Sequence, residues 1–347
     1  MGTFLTVILY ALIMVLVLGV LVFAHEFGHF FAARRCGVAV KEFAIGMGPK
    51  IVSWDSKKYD TKYALRLLPI GGFVSMVGED EDSEDEHAFC KQKIWKRIII
   101  VLSGVFMNFV IGFLIMMLVV LLQGPIASTV VAEFGEDATS NSQLQVGDEI
   151  IKVDGVSVHT GNELVYEILY SGNEPIDITV IRNGEELELN DVKFPIVEEE
   201  GTLFGDMDFK VRQEERNFFS LMKHTFFRSV STVKMVFDSL MGLFSGRFGI
   251  ESVSGPIGIA ETVGNAATTS GLNFLNIIAI LSINLGVVNL LPFPALDGGR
   301  FIFLIIEGIR RKPINRDVEG YINLVGMIIL FAFMIFISFK DVFKLIM

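Results

Sequence analysis

Residues 3–36 read TFLTVILYALIMVLVLGVLVFAHEFGHFFAARRC, a run without Asp, Glu, Lys or Arg from Thr3 to Ala24 that closes on His25-Glu26-Phe27-Gly28-His29 and then Arg34-Arg35. A bilayer core of about 30 Å takes about 20 helical residues, so the run is long enough to cross one. A cleaved signal would begin on basic side chains and have a shorter apolar core. Met1-Gly2-Thr3 carries no basic side chain and the run continues into the histidines, which predicts a retained helix. In a helix, positions i and i+4 share a face, so His25 and His29 are placed to grip one metal ion, with Glu26 beside them to take a proton from water. Ionisable groups in so apolar a segment are costly, which makes function the default reading.

Working outward, Ile98 to Leu122, Leu272 to Leu296 and Tyr321 to Phe339 also lack charge, and the 347 residues are 52% hydrophobic but only 20% charged. Four transmembrane helices follow. Lys and Arg crowd the connection between the first two (Arg34, Arg35, Lys41, Lys50, Lys57, Lys58, Lys62, Arg66, Lys91, Lys93, Lys96, Arg97) and that between the last two (Arg300, Arg310, Arg311, Lys312, Arg316). The positive-inside rule puts both connections in the cytoplasm, and residues 123–271 with both termini outside. Helices one and three then run in the same direction. A net charge of −11 argues against a nucleic-acid partner. Much of that charge lies in the run Glu79-Asp80-Glu81-Asp82-Ser83-Glu84-Asp85-Glu86, read as a solvated loop. Cys36 and Cys90 lack metal-site spacing and are read as free thiols.

The outside segment has its own pattern. Leu144 to Gly155 reads as turn, strand and turn, Asn162 to Tyr170 as a helix, and Ile176 to Ile181 as an alternating strand leading through Arg182-Asn183-Gly184-Glu185 into a hairpin. This order resembles a PDZ domain over 125–197, the usual Gly-Leu before the first turn being Gln143-Leu144. PDZ modules take extended chains as an added strand. From Phe218 to Phe244, apolar residues at Phe219, Met222, Phe226, Val230, Val233, Phe237, Leu240 and Phe244 oppose His224, Arg228, Ser231 and Asp238. That predicts an amphipathic surface helix over 217–248, with a core helix of the outside domain as the competing reading. In the cytoplasmic connection, Ile51–Trp54, Lys62–Leu67 and Phe73–Val77 have strand character around Gly46-Met47-Gly48-Pro49 and Pro69-Ile70-Gly71-Gly72. Two or more short strands are expected there, dipping toward the bilayer with covered edges.

A catalytic zinc takes three protein ligands and one open position. The third must share the depth of His29, which lies five residues before Arg34. Asp297, three residues before Arg300, is the only acidic residue between Glu261 and Glu307 and meets that condition. The bland alternative is that Asp297 only caps a following helix. Pro292, Pro294, Gly298 and Gly299 break the helix nearby and would free backbone groups for an extended peptide.

His-Glu-x-x-His in the first helix, with Asn-x-x-Pro-x-Pro-x-Leu-Asp-Gly from Asn289 to Gly298, resembles the site-2 protease family of intramembrane metalloproteases. The likeness extends to the Gly-x-Gly-Pro loop and Gly71-Gly72-Phe73, and is nearest to the bacterial branch that cleaves anti-sigma factors. It implies a multi-pass α-helical membrane protein with a reentrant β-loop over about 40–78, within a first domain of 1–122, an inserted extracytoplasmic PDZ domain of mixed α/β structure, and a last domain over 272–347. It also implies one Zn2+ per chain on His25, His29 and Asp297, with Glu26 as general base and Asn289 holding substrate or oxyanion. Pro292, Gly71, Gly72 and Phe73 would bind the unwound substrate. The expected partners are the lipid bilayer of a bacterial cell membrane and single-pass membrane proteins such as pre-trimmed anti-sigma factors or signal-peptide remnants, filtered for size by the PDZ module. A non-enzymatic PDZ scaffold would leave the His-Glu-Asp set without purpose. A metal transporter would place ligands near mid-bilayer, commonly with internal repeats, and this chain has none.

Overall fold

Helix α1 (Gly2–Cys36) runs into a long hairpin of β1 (Val40–Ser56) and β2 (Thr61–Met76), followed by α2 (Ile94–Leu122). Next come β3 (Ile126–Phe134), β4 (Glu149–Val153), β5 (Val156–Ser157), α3 (Gly161–Ser171), β6 (Ile176–Arg182), β7 (Glu185–Val192), β8 (Ile196–Glu199), β9 (Thr202–Gly205) and β10 (Phe209–Glu214). The chain closes with α4 (Phe218–Ser245), α5 (Pro256–Thr269), α6 (Gly271–Leu290), α7 (Asp297–Arg310) and α8 (Arg316–Ile346). This is a computed structural model describing residues 2–56, 60–79, 81, 83–199 and 201–346. Lys57, Lys58, Asp80 and Asp82, named above in the basic connection and the acidic run, lie outside the described residues. The chain divides into two compact units, Met1–Ile115 with Val253–Met347, and Met116–Ser252.

Among the described residues four helices are long and apolar enough to cross a membrane: Leu5–Cys36, Ile94–Leu122, Gly271–Leu290 and Arg316–Phe343. The third ends earlier than its apolar run. Pro292 and Pro294 supply no N–H and clash with a preceding helical turn, so α6 stops at Leu290. Residues 291–296 fold into a tight turn, with Phe293 N–H donating to the Leu291 carbonyl (2.7 Å) and Ala295 at φ 72°.

Helix α5 was not anticipated, because its small residues show no clear apolar period. In the first unit it packs along α1, where the Tyr10 hydroxyl donates to Asn265 Oδ1 (2.8 Å). The N-terminus of α5 is capped from another helix. Buried Asp341 of α8 accepts from Gly255 N–H (3.3 Å) and Gly258 N–H (2.9 Å), satisfying two of the donors that a helix start leaves open. Asp341→Ala should therefore cost about 1–3 kcal/mol, read as a lower unfolding midpoint of the purified protein.

Each hairpin strand is bent, so the two strands make four rungs rather than two. Gly46 and Gly48 (φ 83° and 82°) turn β1, and Gly71 (φ 82°) turns β2. Phe43 consequently pairs with both Val74 and Tyr63, while Trp54 pairs with Tyr63. The segments lie in the order 72–76, 40–47, 61–66, 50–56. Three of them match the expected short strands; Val40–Met47 was missed. Val40, Phe43, Val74 and Met76 are buried with Ala33, Ile100 and Leu304 of the helices. Met47, Ile51, Val52, Trp54, Leu67 and Leu68 are left exposed.

The second unit holds a sheet in the order β10-β3-β4-β6-β7, with β5 paired to β4. Its core gathers Val131, Leu144, Ile150, Leu164, Ile168, Ile178, Val180 and Phe209. The sheet extends past residue 197, the expected end of the PDZ-like segment. The strand carrying Phe209 pairs with β3 through Phe209↔Phe134, so the sheet runs to Glu214.

Helix α4 packs against it by its polar side. Tyr166 donates to Asp238 (2.7 Å), Lys234 pairs with Glu167 (3.0 Å) and Asp238 (2.7 Å), and His224 lies 2.9 Å from Glu214. His224, Thr225, Ser231 and Thr232 are buried, whereas Phe219 and Phe244 are each 81% exposed and Phe226, Phe237 and Met241 are also exposed. Its amphipathicity is inverted relative to a helix on a soluble core.

Candidate metal centre

The histidines sit on α1 four residues apart, one turn on the same face, as the spacing predicts. His25 Nε2 and His29 Nε2 are 3.1 Å apart. Asp297 Oδ2 lies 3.1 Å from the first and 3.2 Å from the second. The aspartate arrives from a different helix than its apolar run suggests. It is the first residue of α7, and the N-cap, Leu296, makes no side-chain cap bond. Asp297 is thus not the N-cap of α7, and its carboxylate is turned to the histidines. The glycines after it make the placement possible. A Cβ on Gly298 would collide with the Leu290 and Leu291 carbonyls and one on Gly299 with that of Phe293, so only glycine lets α7 start against the end of α6.

The contacts around the three atoms fit a cation. His29 Nδ1 lies 2.8 Å from the Ile100 carbonyl. A carbonyl only accepts, so Nδ1 carries a proton, and in the neutral ring Nε2 presents a lone pair. Asp297 Oδ2 is buried with no hydrogen-bond partner despite its two close nitrogens. Two imidazole nitrogens and a carboxylate oxygen within 3.2 Å of one another are the donor set a cation takes, each nitrogen offering a lone pair once its ring proton lies on Nδ1. Three edges of 3.1, 3.1 and 3.2 Å also match a tetrahedron with bonds of ~2.0 Å, whose edges are about 3.3 Å. Among the described residues, His25, His29 and Asp297 are the one such convergence of His, Cys, Asp or Glu ligands. Cys36 and Cys90 are free thiols outside it.

Glu26, half-buried beside the histidines, borders the hairpin. A Cβ on Gly72 would lie 3.1 Å from Glu26 Cγ. Phe73 follows, its ring beneath the Arg66 guanidinium (4.8 Å), and Gly71 forms the bend. Asn289 lies in the last turn of α6, half-buried, and Pro292 is exposed in the turn that follows. Among the described residues neither touches the three ligand-type side chains by a hydrogen bond.

Helix α2 supplies what the sequence reading missed. Ile100 offers its carbonyl to His29, and the Asn108 amide nitrogen lies 3.0 Å from His25 Nδ1. Gly104 lies against both rings. A Cβ there would overlap His29 Nε2 and come within 2.8 Å of His25 Cε1. The signal was a lone amide, four residues after a glycine, in an uncharged run. Gly104→Ala should displace the rings, costing about 1–3 kcal/mol of stability and lowering metal content in elemental analysis of the purified protein.

The model of peptidase family M50 matches residues 13–333. The chain belongs to this family. Several bacterial proteins align with it over almost their whole length. A Fusobacterium nucleatum protein provisionally named zinc metalloprotease FN1322 is 35% identical over 342 residues, covering 96% of this chain and 98% of its own. The zinc metalloprotease RasP of Shouchella clausii is 31% identical, covering 95% and 97%. The regulator of sigma-W protease RasP of Bacillus subtilis is 28% identical with the same coverage. Membership in M50 makes the chain a peptidase of the site-2 type, as its two motifs implied.

Proposed function

We propose that this chain is an intramembrane zinc endopeptidase that cuts the membrane-spanning segments of single-pass proteins. His25, His29 and Asp297 hold one Zn2+, and Glu26 is the general base. The observation that carries this reading is the convergence of His25 Nε2, His29 Nε2 and an otherwise partnerless Asp297 Oδ2 in an apolar helical setting. When bound, zinc supplies Lewis acidity that activates water and polarises a carbonyl at neutral pH. Glu26 accepts the proton of the attacking water and passes it to the leaving amine. Asn289 contacts the substrate or the developing oxyanion.

A substrate helix buries its peptide bonds in its own hydrogen bonds and must be unwound first. The hairpin suits that task. Segment 72–76 is the outer rung of its sheet, paired on one side with 40–45, and Gly72 of that rung adjoins Glu26. An extended peptide adding to the free side would bring its backbone to the catalytic groups. The hairpin's exposed Ile51, Val52, Trp54, Leu67 and Leu68 suit a loop that re-enters the bilayer.

The residues from Ile126 to Glu214 act as an extracytoplasmic PDZ module, and the apolar outer face of α4 lies on the membrane surface. The basic connections support a catalytic face turned toward the cytoplasm of a bacterial cell. The Bacillus subtilis relative is named a regulator of sigma-W protease, which supports a substrate in sigma-factor control; the substrate we propose is a membrane-anchored anti-sigma factor trimmed by an earlier protease. Incubating purified protein with single-pass candidates, with and without a zinc chelator, tests the activity; chelator-insensitive cleavage, or none of any candidate, counts against it. The module's role has its own test. If it excludes bulk, deleting 126–214 should permit cleavage of an untrimmed substrate and leave that of a trimmed one within about threefold, since none of the proposed catalytic residues lies there. Equal loss on both substrates would instead mean recruitment by strand addition.

A further inference from the structure

We infer that Asn108 of α2 is a positioning residue for His25, its side-chain oxygen accepting a hydrogen bond from Nδ1–H so that the Nε2 lone pair faces the metal. The inference rests on the ligand set proposed above. Asn108 is completely buried and is the only amide side chain in α2, where a polar group away from water is costly unless bonded. Its backbone is tied to α6, the carbonyl accepting from the buried Ser282 hydroxyl (2.8 Å).

Two proton arrangements are available to this pocket. With the Asn108 amide nitrogen toward His25 Nδ1 (3.0 Å), the nitrogen donates, the ring proton sits on Nε2, and Nε2–H points at His29 Nε2 (3.1 Å). That arrangement leaves Asn108 Oδ1 buried without a partner and leaves His25 no lone pair for a metal. A half-turn of the amide exchanges two atoms of nearly equal size. Oδ1 then accepts from Nδ1–H, and Nε2 becomes a ligand. His29 already has this arrangement through the Ile100 carbonyl. Both histidines are then oriented by acceptors on one helix, the kind of support that metal-binding imidazoles require of their other nitrogen.

Equilibrium zinc competition against a chromophoric chelator, on the full-length protein in detergent, tests this. Asn108→Leu keeps the volume but has no acceptor, and should weaken zinc about 10–100-fold. Asn108→Asp keeps an acceptor oxygen in place and should stay within about threefold of the parent. Unfolding midpoints of the three metal-free proteins show whether each variant is folded, so that lost affinity is not mistaken for lost structure. Unchanged zinc affinity in Asn108→Leu overturns the inference. So does equal weakening in both variants, which would mean the site needs the amide for packing rather than for its oxygen. Asp297→Ala runs alongside, and parent-like zinc affinity there would remove the ligand set itself, a failure distinct from that of Asn108.

Discussion

Glu26→Gln is expected to lower kcat by about 10²–10⁴-fold while zinc content stays at the parent level. The substitution keeps the length and nearly the shape of the side chain, so the border with Gly72 is preserved. It removes only the ability to take a proton. Glu26 contributes no atom to the three that converge on the cation position, so metal should be retained. The measurement pairs single-turnover cleavage of a trimmed substrate with elemental analysis of the same sample. A variant that cuts at the parent rate would exclude Glu26 as the base, whatever its zinc content.

The complementary change is Asp297→Ala, for which the expected loss is of metal itself. Structural zinc sites with four protein ligands bind with about 10–16 kcal/mol, or roughly 3 kcal/mol per ligand, so affinity should fall at least about 100-fold. Two histidines without the carboxylate would also leave the ion's charge uncompensated in an apolar setting. Activity should vanish with the metal and return in part at high added zinc. His25→Ala and His29→Ala should behave alike. Glu26→Gln and Asp297→Ala therefore separate along two axes, one losing turnover at full occupancy and the other losing both together.

Much of this site was legible from sequence because the bilayer narrows the search. In an uncharged helix His25, Glu26 and His29 stand out, and the depth condition leaves Asp297 as the one carboxylate between Glu261 and Glu307. The four spans were legible for the same reason. What failed did so where continuity in apolarity hid a break in the backbone. Leu272 to Leu296 is one uncharged run, yet Pro292 and Pro294 end α6 and Asp297 opens α7. The small residues of α5 and the first rung of the hairpin left too weak a period to read. The last strand of the sheet was not read because β10 returns to pair with β3 across a long sequence separation, which no local pattern reports. Gly104 and Asn108 escaped because their importance lies in what touches them, His25 and His29, and not in their own chemistry.

Helix α4 reverses a familiar rule of substitution. On most proteins an outward phenylalanine tolerates replacement by a charged residue and an inward serine or threonine does not welcome one. Here the inward positions are Ser231, Thr232 and His224, and the outward ones are Phe219, Phe226, Phe237 and Phe244. Anyone cutting residues 123–252 free as a water-soluble reagent would be releasing a fragment whose stickiest surface is its outside. The remedy is to repaint those phenylalanines with Lys and Glu while leaving the hydroxyl-rich side untouched. The same repainting in the full-length enzyme would test the proposed seat of α4 on the membrane surface without altering a single residue of the metal centre.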